Sequence, residues 1–532
     1  MDQIISTLNS LLIIVAWMIL LYSPMHQGLH MFQQNRYEIR RYLPWWKNDV
    51  TYRLHHVGWQ RYAFILFSLL GILNLFEIHW IISLAVGLTF GYSIILLYQT
   101  RSKPTIKPLV WTARVKRQAF VMVVLGSIGM IGVYQLGWVG RIILTPWLGE
   151  IVGLLIVVMA WITLPFEQLI KRRYIQMAKA ILRKHPSLTK IGITGSYGKT
   201  SSKNILNEVL SEKYYVLSTP ASYNTPMGLT ITIREQLKAV HQVFIAEMGA
   251  DKVGEIQFLS RFIEPTMGMV TSIGPQHLNT FKSIENIIRE KMSLIENLPA
   301  QGVGIVNQDN EYIRDYSIKN SCKIVRYGVD YPADLQAVDI EYSPQGSSFN
   351  VLIEKKHIPF STRLLGKHNI ANILGAIAVG RELGLSWEQL QHAVKQVNYV
   401  EHRLQLKKIN GLNYIDNAFN SNPEGSKMSL EVLQRMPGHR FIITPGMIDL
   451  GSKQDAYNYA FGAYMKGCAD TVILVGQTQT KSIYKGLEES GFEMANVHVM
   501  DTVKQAFKYV ETHAHTSDII LLENDLPDAF NR

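Results

Sequence analysis

Residues 189–201 read Thr-Lys-Ile-Gly-Ile-Thr-Gly-Ser-Tyr-Gly-Lys-Thr-Ser, and this stretch sets the fold of the chain downstream of it. Thr189 to Thr194 has the make-up of a short buried strand. It runs straight into Gly195-Ser196-Tyr197-Gly198-Lys199-Thr200-Ser201, and a helical pattern comes next. Strand, glycine-rich turn and helix N-terminus aim several backbone N–H groups at one point, where phosphate oxygens are held. Lys199 would bring a positive charge to the terminal phosphates, and the Thr200 hydroxyl can ligate Mg²⁺. Gly195, Ser196, Tyr197, Gly198, Lys199, Thr200 and Ser201 are therefore the candidate ATP-binding residues. The general form of such loops places glycine at position 193, which is isoleucine here. A tight turn with a chance Gly-Lys-Thr is the bland alternative, and the strand-to-helix context argues against it.

Downstream, short apolar runs alternate with amphipathic helices, the βαβ pattern of a mostly parallel sheet. The strand Val243–Glu247 ends on an acid, so Glu247 belongs at the carboxyl edge beside the phosphate loop, where Mg²⁺ must sit. A second apolar run, Thr266 to Ile273, leads to His277 at the same edge, and Lys291 lies on the next helix. Gly366-Lys367-His368-Asn369-Ile370-Ala371-Asn372 opens an Ala- and Gly-rich helix. Phe441–Thr444, Thr471–Val475 and Ile519–Leu522 are further strands alternating with helices, which suggests a Rossmann-like closing domain.

The loop form Thr-Gly-x-x-Gly-Lys-Thr-Ser resembles that of the Mur ligases. Ala246-Glu247-Met248-Gly249-Ala250, Gly254-Glu255-Ile256, Ile273-Gly274-Pro275-Gln276-His277-Leu278 and Glu290-Lys291 then come in order. They look like the D-alanyl-D-alanine-adding branch of that family, over roughly 187 to the low 450s. The resemblance implies ATP-dependent amide-bond formation through an acyl phosphate. Thr200 and Glu247 would hold one Mg²⁺; His277 and a carbamylated Lys291 would hold a second. It makes Lys199, Glu247, His277 and Lys291 the candidate catalytic residues. It also implies that Asn372 contacts adenine, Asp416 the ribose, and Arg403, after Tyr399-Val400-Glu401-His402, the phosphates.

Some features depart from the family. Asp416-Asn417-Ala418-Phe419-Asn420-Ser421-Asn422-Pro423 is similar to the family's Asp-Asp-x-Tyr-Asn-Ala-Asn-Pro segment, with Asn417 for the second acid and Phe419 for tyrosine. Glu523-Asn524-Asp525-Leu526-Pro527-Asp528 comes after the last strand, where family members carry a basic, glycine-containing turn. Apolar segments occupy the place of the N-terminal domain that grips the UDP-sugar in soluble members.

Those apolar runs lie near 5–23, 61–76, 79–98, 118–136 and 146–166, and several approach the ~20 residues a helix needs to cross a bilayer. Ile5 to Tyr22 lacks a basic flank and a cleavage site, so it reads as a retained span. Arg36, Arg40, Arg41, Lys47 and Arg53 follow the first run; Arg101, Lys103, Lys107, Arg114, Lys116 and Arg117 follow the third. Lys171, Arg172, Arg173, Lys179, Arg183 and Lys184 follow the fifth. The 137–145 loop carries only Arg141. The positive-inside rule then places the N-terminus outside and the chain after the fifth run in the cytoplasm of a bacterial cell. Trp45, Trp46, Trp80, Trp138 and Trp147 fall near the expected interfaces, and Glu150 near the outer boundary.

Two cysteines, Cys322 and Cys468, exclude a disulfide framework or zinc ribbon. The net charge of +11 sits largely beside the apolar runs, and no nucleic-acid-binding signature accompanies it. The expected organisation is an α-helical membrane domain (1–172), a P-loop central domain (173–398) and a Rossmann-like C-terminal domain (399–532). The expected function is a multi-pass membrane ligase that uses ATP and Mg²⁺. It would join an amino-acid or peptide amine to a lipid-linked or nucleotide-linked glycan. A poly-γ-glutamate-type synthetase and an ATP-driven export component are the rivals. The latter needs a polar path through the spans, and none is evident.

Overall fold

The computed structural model describes residues 2–56, 66, 69, 79–101, 108–144, 148–399, 403–418, 423–447, 450, 453–477 and 480–524. The expected span at 61–76 lies outside them except for Leu66 and Leu69. So do Lys103, Lys107, Trp147, Val400–His402, Phe419–Asn422 and Asp525–Asp528. The chain divides into two compact units, Met1–Arg173 and Tyr174–Arg532.

Helices make up the first unit: Asp2–Gln34, Ile39–His56, His79–Arg101, Ala113–Gln135, Gly137–Leu144 and the long Leu148–Arg183, which continues past the division. Among the described residues three stretches, Gln3–Gln34, Ala113–Gln135 and Val152–Arg183, are long and apolar enough to cross a membrane. A shorter apolar stretch, Trp80–Ile95, lies within His79–Arg101. Leu8, Leu11, Phe120, Ile128, Ile131, Trp161 and Phe166 are exposed, an outer surface suited to lipid. Inside, Ile13, Trp17, Leu20 and Val86 form one cluster, and the Asn9 amide donates to Ser83 Oγ at 2.9 Å. Thr112 caps the Ala113–Gln135 helix by accepting from the Val115 N–H, and Arg117 makes a two-pronged contact (2.8 and 3.0 Å) with Glu167.

The expected loop at 137–145 is instead mostly helical, Gly137–Leu144. Its one charge explains why this is tolerated. The Arg141 guanidinium donates twice to the Tyr134 carbonyl (2.7 and 3.0 Å), covering an end carbonyl of the preceding helix, and lies over the Tyr134 and Trp138 rings.

Two sheets organise the second unit. Among the described residues, nine strands run in the order β2 (Val216–Ser218), β3 (Val243–Glu247), β1 (Thr189–Thr194), β4 (Met267–Val270), β5 (Val303–Asn307), β6 (Lys323–Gly328), β7 (Leu335–Ser343), β8 (Gly346–Ile353), β9 (Lys356–Thr362). Pairing is parallel from β2 to β7 and antiparallel across the β7–β8–β9 meander. β1 lies between β3 and β4, with Ile193 opposite Glu247 and Thr194 opposite Val270. The segments leaving three neighbouring parallel strands therefore emerge at one edge, where open α/β sheets bind ligands. Ile191, Ile193, Ile245 and Met269 are buried in the same core as Ile370, Ile373 and Leu374 of the helix Lys367–Glu382. β4 is shorter than the expected 266–273, because Thr271 and Ser272 turn their polar groups to the phosphate loop instead of extending the sheet.

A second sheet has the order β10 (Gln405–Ile409), β11 (Leu412–Asn417), β15 (Ile519–Glu523), β12 (Arg440–Thr444), β13 (Thr471–Val475), β14 (Val497–Met500). It is parallel except for the β10–β11 hairpin.

Candidate functional site

The loop after β1 is held both by the segment that follows β4 and by its own Ser196 and Lys199 side chains. Ser196 N–H donates to the Ser272 carbonyl at 2.7 Å, and Thr271 Oγ donates to the Tyr197 carbonyl at 2.6 Å. Ser196 Oγ both donates to the Gly274 carbonyl and accepts from its N–H, each at 3.0 Å. A Cβ at Gly195 would stand 2.2 Å from Thr271 Oγ and about 3 Å from the Ser272 backbone, so no side chain fits there. Gly198, at φ +78°, takes the left-handed turn that starts the helix Lys199–Ser211. Lys199 donates to the carbonyls of Gly195 (2.7 Å) and Ser196 (2.9 Å), so its ammonium stays over the loop. Burial lowers its pKa, and Glu247 opposes that shift.

Glu247 is 1 % exposed and carries the densest polar network of the site. The Thr200 hydroxyl lies between its two oxygens, 3.2 Å from Oε1 and 3.1 Å from Oε2. Asn224 Nδ2 donates to Oε1 at 3.1 Å, and Lys203 Nζ lies 3.2 Å from Oε2. The two residues expected to share a metal are thus in direct contact. Their oxygen donors suit a hard cation such as Mg²⁺. Lys203 and Asn224 are not among the residues that the sequence singles out. For Lys203 a signal existed, since it follows Lys199 by four residues on the same helix; Asn224 offered none.

His277 and Lys291 both meet the turn after β3. His277, in the left-handed conformation (φ +56°), places Nε2 3.2 Å from Asp251 Oδ1. Lys291 is 2 % exposed and donates to the Ala250 carbonyl at 3.3 Å. Burial, then the positive charge of Lys199, brings its pKa down to about 7, against the pull of Glu290 and Glu255. Glu290 is itself engaged, accepting from the N–H groups of Gly254 (2.7 Å) and Ile256 (2.6 Å) at the start of the helix Glu255–Ile263. Among the described residues, no three His, Cys, Asp or Glu side chains converge on one point.

Asn372 comes to the loop from the helix Lys367–Glu382, with its Oδ1 accepting from Ser202 Oγ at 2.8 Å. A Cβ on Gly198 would lie 3.4 Å from that oxygen, so Asn372 borders the loop helix. Asn369 donates to the Leu365 carbonyl, an internal tie. Arg403 is exposed, just ahead of β10. Asp416, at the end of β11, is buried and paired with Lys407 at 2.5 Å; its other oxygen accepts from the Ala418 N–H. Two departures from the family pattern in this domain meet in space: Asn417 Nδ2 (2.8 Å) and Ser429 Oγ (2.6 Å) both donate to buried Glu523. An aspartate at 417 would set two carboxylates against each other, so Asn417 and Glu523 belong together.

Comparison with known proteins bears on the whole of this region. Residues 193–380 match the Mur ligase middle domain, and 402–523 the Mur ligase glutamate ligase domain. The UDP-N-acetylmuramoyl-tripeptide–D-alanyl-D-alanine ligase of Bacillus subtilis (strain 168) is 29 % identical over 353 residues, 65 % of this chain and 75 % of that protein. The enzyme of the same name from Escherichia coli (strain K12) is 27 % identical over 56 % of this chain and 67 % of its own length. In fold, the chain is similar to MurF from Acinetobacter baumannii (TM-score 0.56, 24 % identity, 67 % of this chain and 77 % of that one). It is similar too to the MurF ligase from Thermotoga maritima in complex with ADP (TM-score 0.57, 22 % identity, 67 % and 80 %).

Proposed function

The chain belongs to the Mur ligase family, and from that premise we propose that it is a membrane-bound, ADP-forming ligase joining an amine to a glycan-linked carboxylate. The observation that carries this reading is the Thr200 hydroxyl held between both oxygens of buried Glu247, beside the braced glycine loop. We read residues 1–172 as the membrane domain, 173–398 as the central ATP-binding domain and 399–532 as the closing domain.

In the reaction, an acceptor carboxylate oxygen bonds to the γ-phosphorus of ATP and the bond to ADP breaks. An amine then adds to the acyl carbon, loses a proton, and phosphate departs. Little covalent work falls to the protein, so positioning and charge neutralisation dominate. The N–H groups of Gly198, Lys199 and Thr200 would meet the phosphates, while those of Ser196 and Tyr197 brace the loop against Ser272, and Lys199 would turn from the Gly195 and Ser196 carbonyls to the transferring group. Thr200 and Glu247 would hold Mg²⁺, which draws charge off the phosphoryl oxygens when bound. Lys291, with a pKa of about 7, has a neutral fraction at physiological pH able to add CO₂. The resulting carbamate and His277 would form the second cation site. Asn372 is read as the adenine contact, Asp416 as the ribose contact and Arg403 as a phosphate contact.

We read the acceptor as a lipid-linked cell-wall precursor or similar polyprenyl glycan. The family match begins at residue 193, and the chain ahead of it carries helices long and apolar enough to cross a bilayer. Confining enzyme and acceptor to one plane raises their effective concentration, an advantage a soluble UDP-linked acceptor does not share. The test compares ligation of matched lipid-linked and UDP-linked acceptors by the full chain in bilayer discs and by a chain beginning near Tyr174. Preference of the full chain for the lipid-linked form supports the reading. Preference of both proteins for the UDP-linked form refutes it.

A further inference from the structure

Lys203 is among the largest fully buried side chains of the protein, and no step of the ligation reaction uses it. It is 1 % exposed and lies 3.2 Å from Glu247 Oε2, also 1 % exposed. Its ammonium makes a second contact, with the Ala221 carbonyl. Ala221 and Asn224 belong to the same segment, between β2 and the helix Pro226–Gln236. That segment thus supplies one donor to Glu247 directly, through Asn224, and is tied to Lys203 at Ala221.

The contacts divide the carboxylate. Asn224 takes Oε1, Lys203 takes Oε2, and the Thr200 hydroxyl lies almost equally far from both. With a donor on each oxygen the group has little freedom to rotate, and the side it presents between its oxygens faces Thr200. A neutral donor at 203 would orient the acid equally well. What the ammonium adds is a counter-charge, which a fully buried carboxylate needs whenever no metal is present. That charge stays beside the acid when a dication arrives, so the two cations oppose each other across one carboxylate. Lys199, four residues earlier on the same helix, has a different task, since it contacts loop carbonyls.

We propose that Lys203 is a built-in counter-cation: it neutralises buried Glu247 when no metal is bound and competes with the divalent metal for that acid. The inference rests on the reading of Thr200 and Glu247 as a metal-binding pair. It is tested on the full chain in bilayer discs with Mn²⁺ as probe, in the presence of ADP, by paramagnetic resonance and thermal melting. The Lys203→Met variant, similar in length but uncharged, is expected to bind Mn²⁺ about tenfold more tightly. It should melt lower than wild type without metal and regain the difference with Mn²⁺. The Lys203→Arg variant keeps the charge and should stay within about threefold of wild type. Unchanged or weaker Mn²⁺ binding by folded Lys203→Met overturns the proposal. If that variant does not fold even with Mn²⁺, Lys203→Met combined with Glu247→Gln decides. A folded double variant supports the counter-charge, and an unfolded one makes Lys203 a packing residue and overturns it. Wild-type chain that binds no Mn²⁺ overturns the metal reading as well, which unchanged affinity in Lys203→Met alone leaves standing.

Discussion

Lys199 and Lys291 place the same side chain in two different settings beside the glycine loop. Lys199 keeps its ammonium over the loop it belongs to, through two carbonyls. Lys199→Ala is expected to lower ATP turnover at least about 1000-fold, the scale of losing a charge aimed at the transferring phosphoryl group. Membrane insertion should be unaffected. Wild-type turnover by this variant would remove the loop from the mechanism. Lys291 is buried away from solvent, and its pKa falls to about 7. For a base with a lowered pKa, the neutral form gains as pH rises through that value. Carbamate formation and activity should therefore climb through about pH 7 and respond to dissolved CO₂. Lys291→Ala should be nearly inactive, with partial rescue by short carboxylic acids; an active variant with unchanged Mg²⁺ dependence would make Lys291 structural. Both lysines were legible in the sequence, one from its loop and one from resemblance. The residues that hold the site in place were not, because Asp251, Asn224 and Thr271 act through contacts between segments far apart in the chain.

Elements whose signal was local were read to the residue, and those shaped by neighbours were not. β1 and β3 fall on Thr189–Thr194 and Val243–Glu247, since β-branched runs bounded by a glycine turn or a charged end leave little choice. β4 ends three residues before the expected Ile273, because the polar groups beyond it brace the phosphate loop. That bracing leads to a prediction for the turn. Gly195→Ala would drive a methyl into Thr271 Oγ and the Ser272 backbone, so ATP affinity should fall about 100-fold or more, with a lower melting temperature. Near-normal affinity would mean the turn can open without loss. A second prediction concerns the helix Glu255–Ile263, whose first N–H groups are met by Glu290 rather than by a residue before the helix. Glu290→Ala should cost about 2 kcal/mol of stability, as loss of a charged cap does. Hydrogen exchange should quicken at residues 251–256, and an unaltered exchange pattern there would contradict the capping role.

At the scale of the whole chain, composition divided the molecule well: apolar helices in one unit and α/β sheets in the other. The Mur resemblance rested on motifs in order, and the matching domains cover 193–380 and 402–523. The pairing of Asn417 with Glu523 was beyond reach, because the two lie on neighbouring strands from opposite ends of the domain. The basic segments after the first, third and fifth apolar runs lead us to expect the N-terminus outside and residue 180 onward in the cytoplasm. Single-cysteine labelling from each side of intact cells checks this, and outside labelling anywhere in 187–532 would reverse it. Above all, we propose that this chain makes an amide at the expense of ATP. The direct measurement gives the purified full chain ATP, Mg²⁺, amino acids including D-alanyl-D-alanine, and a bacterial membrane lipid extract, then tracks products by mass spectrometry. ADP and phosphate should appear in step with a lipid-fraction glycan heavier by the amine less one water, and Lys199→Ala should give no such product. ATP consumption without any new amide in the lipid-linked or UDP-linked fraction would contradict the proposal.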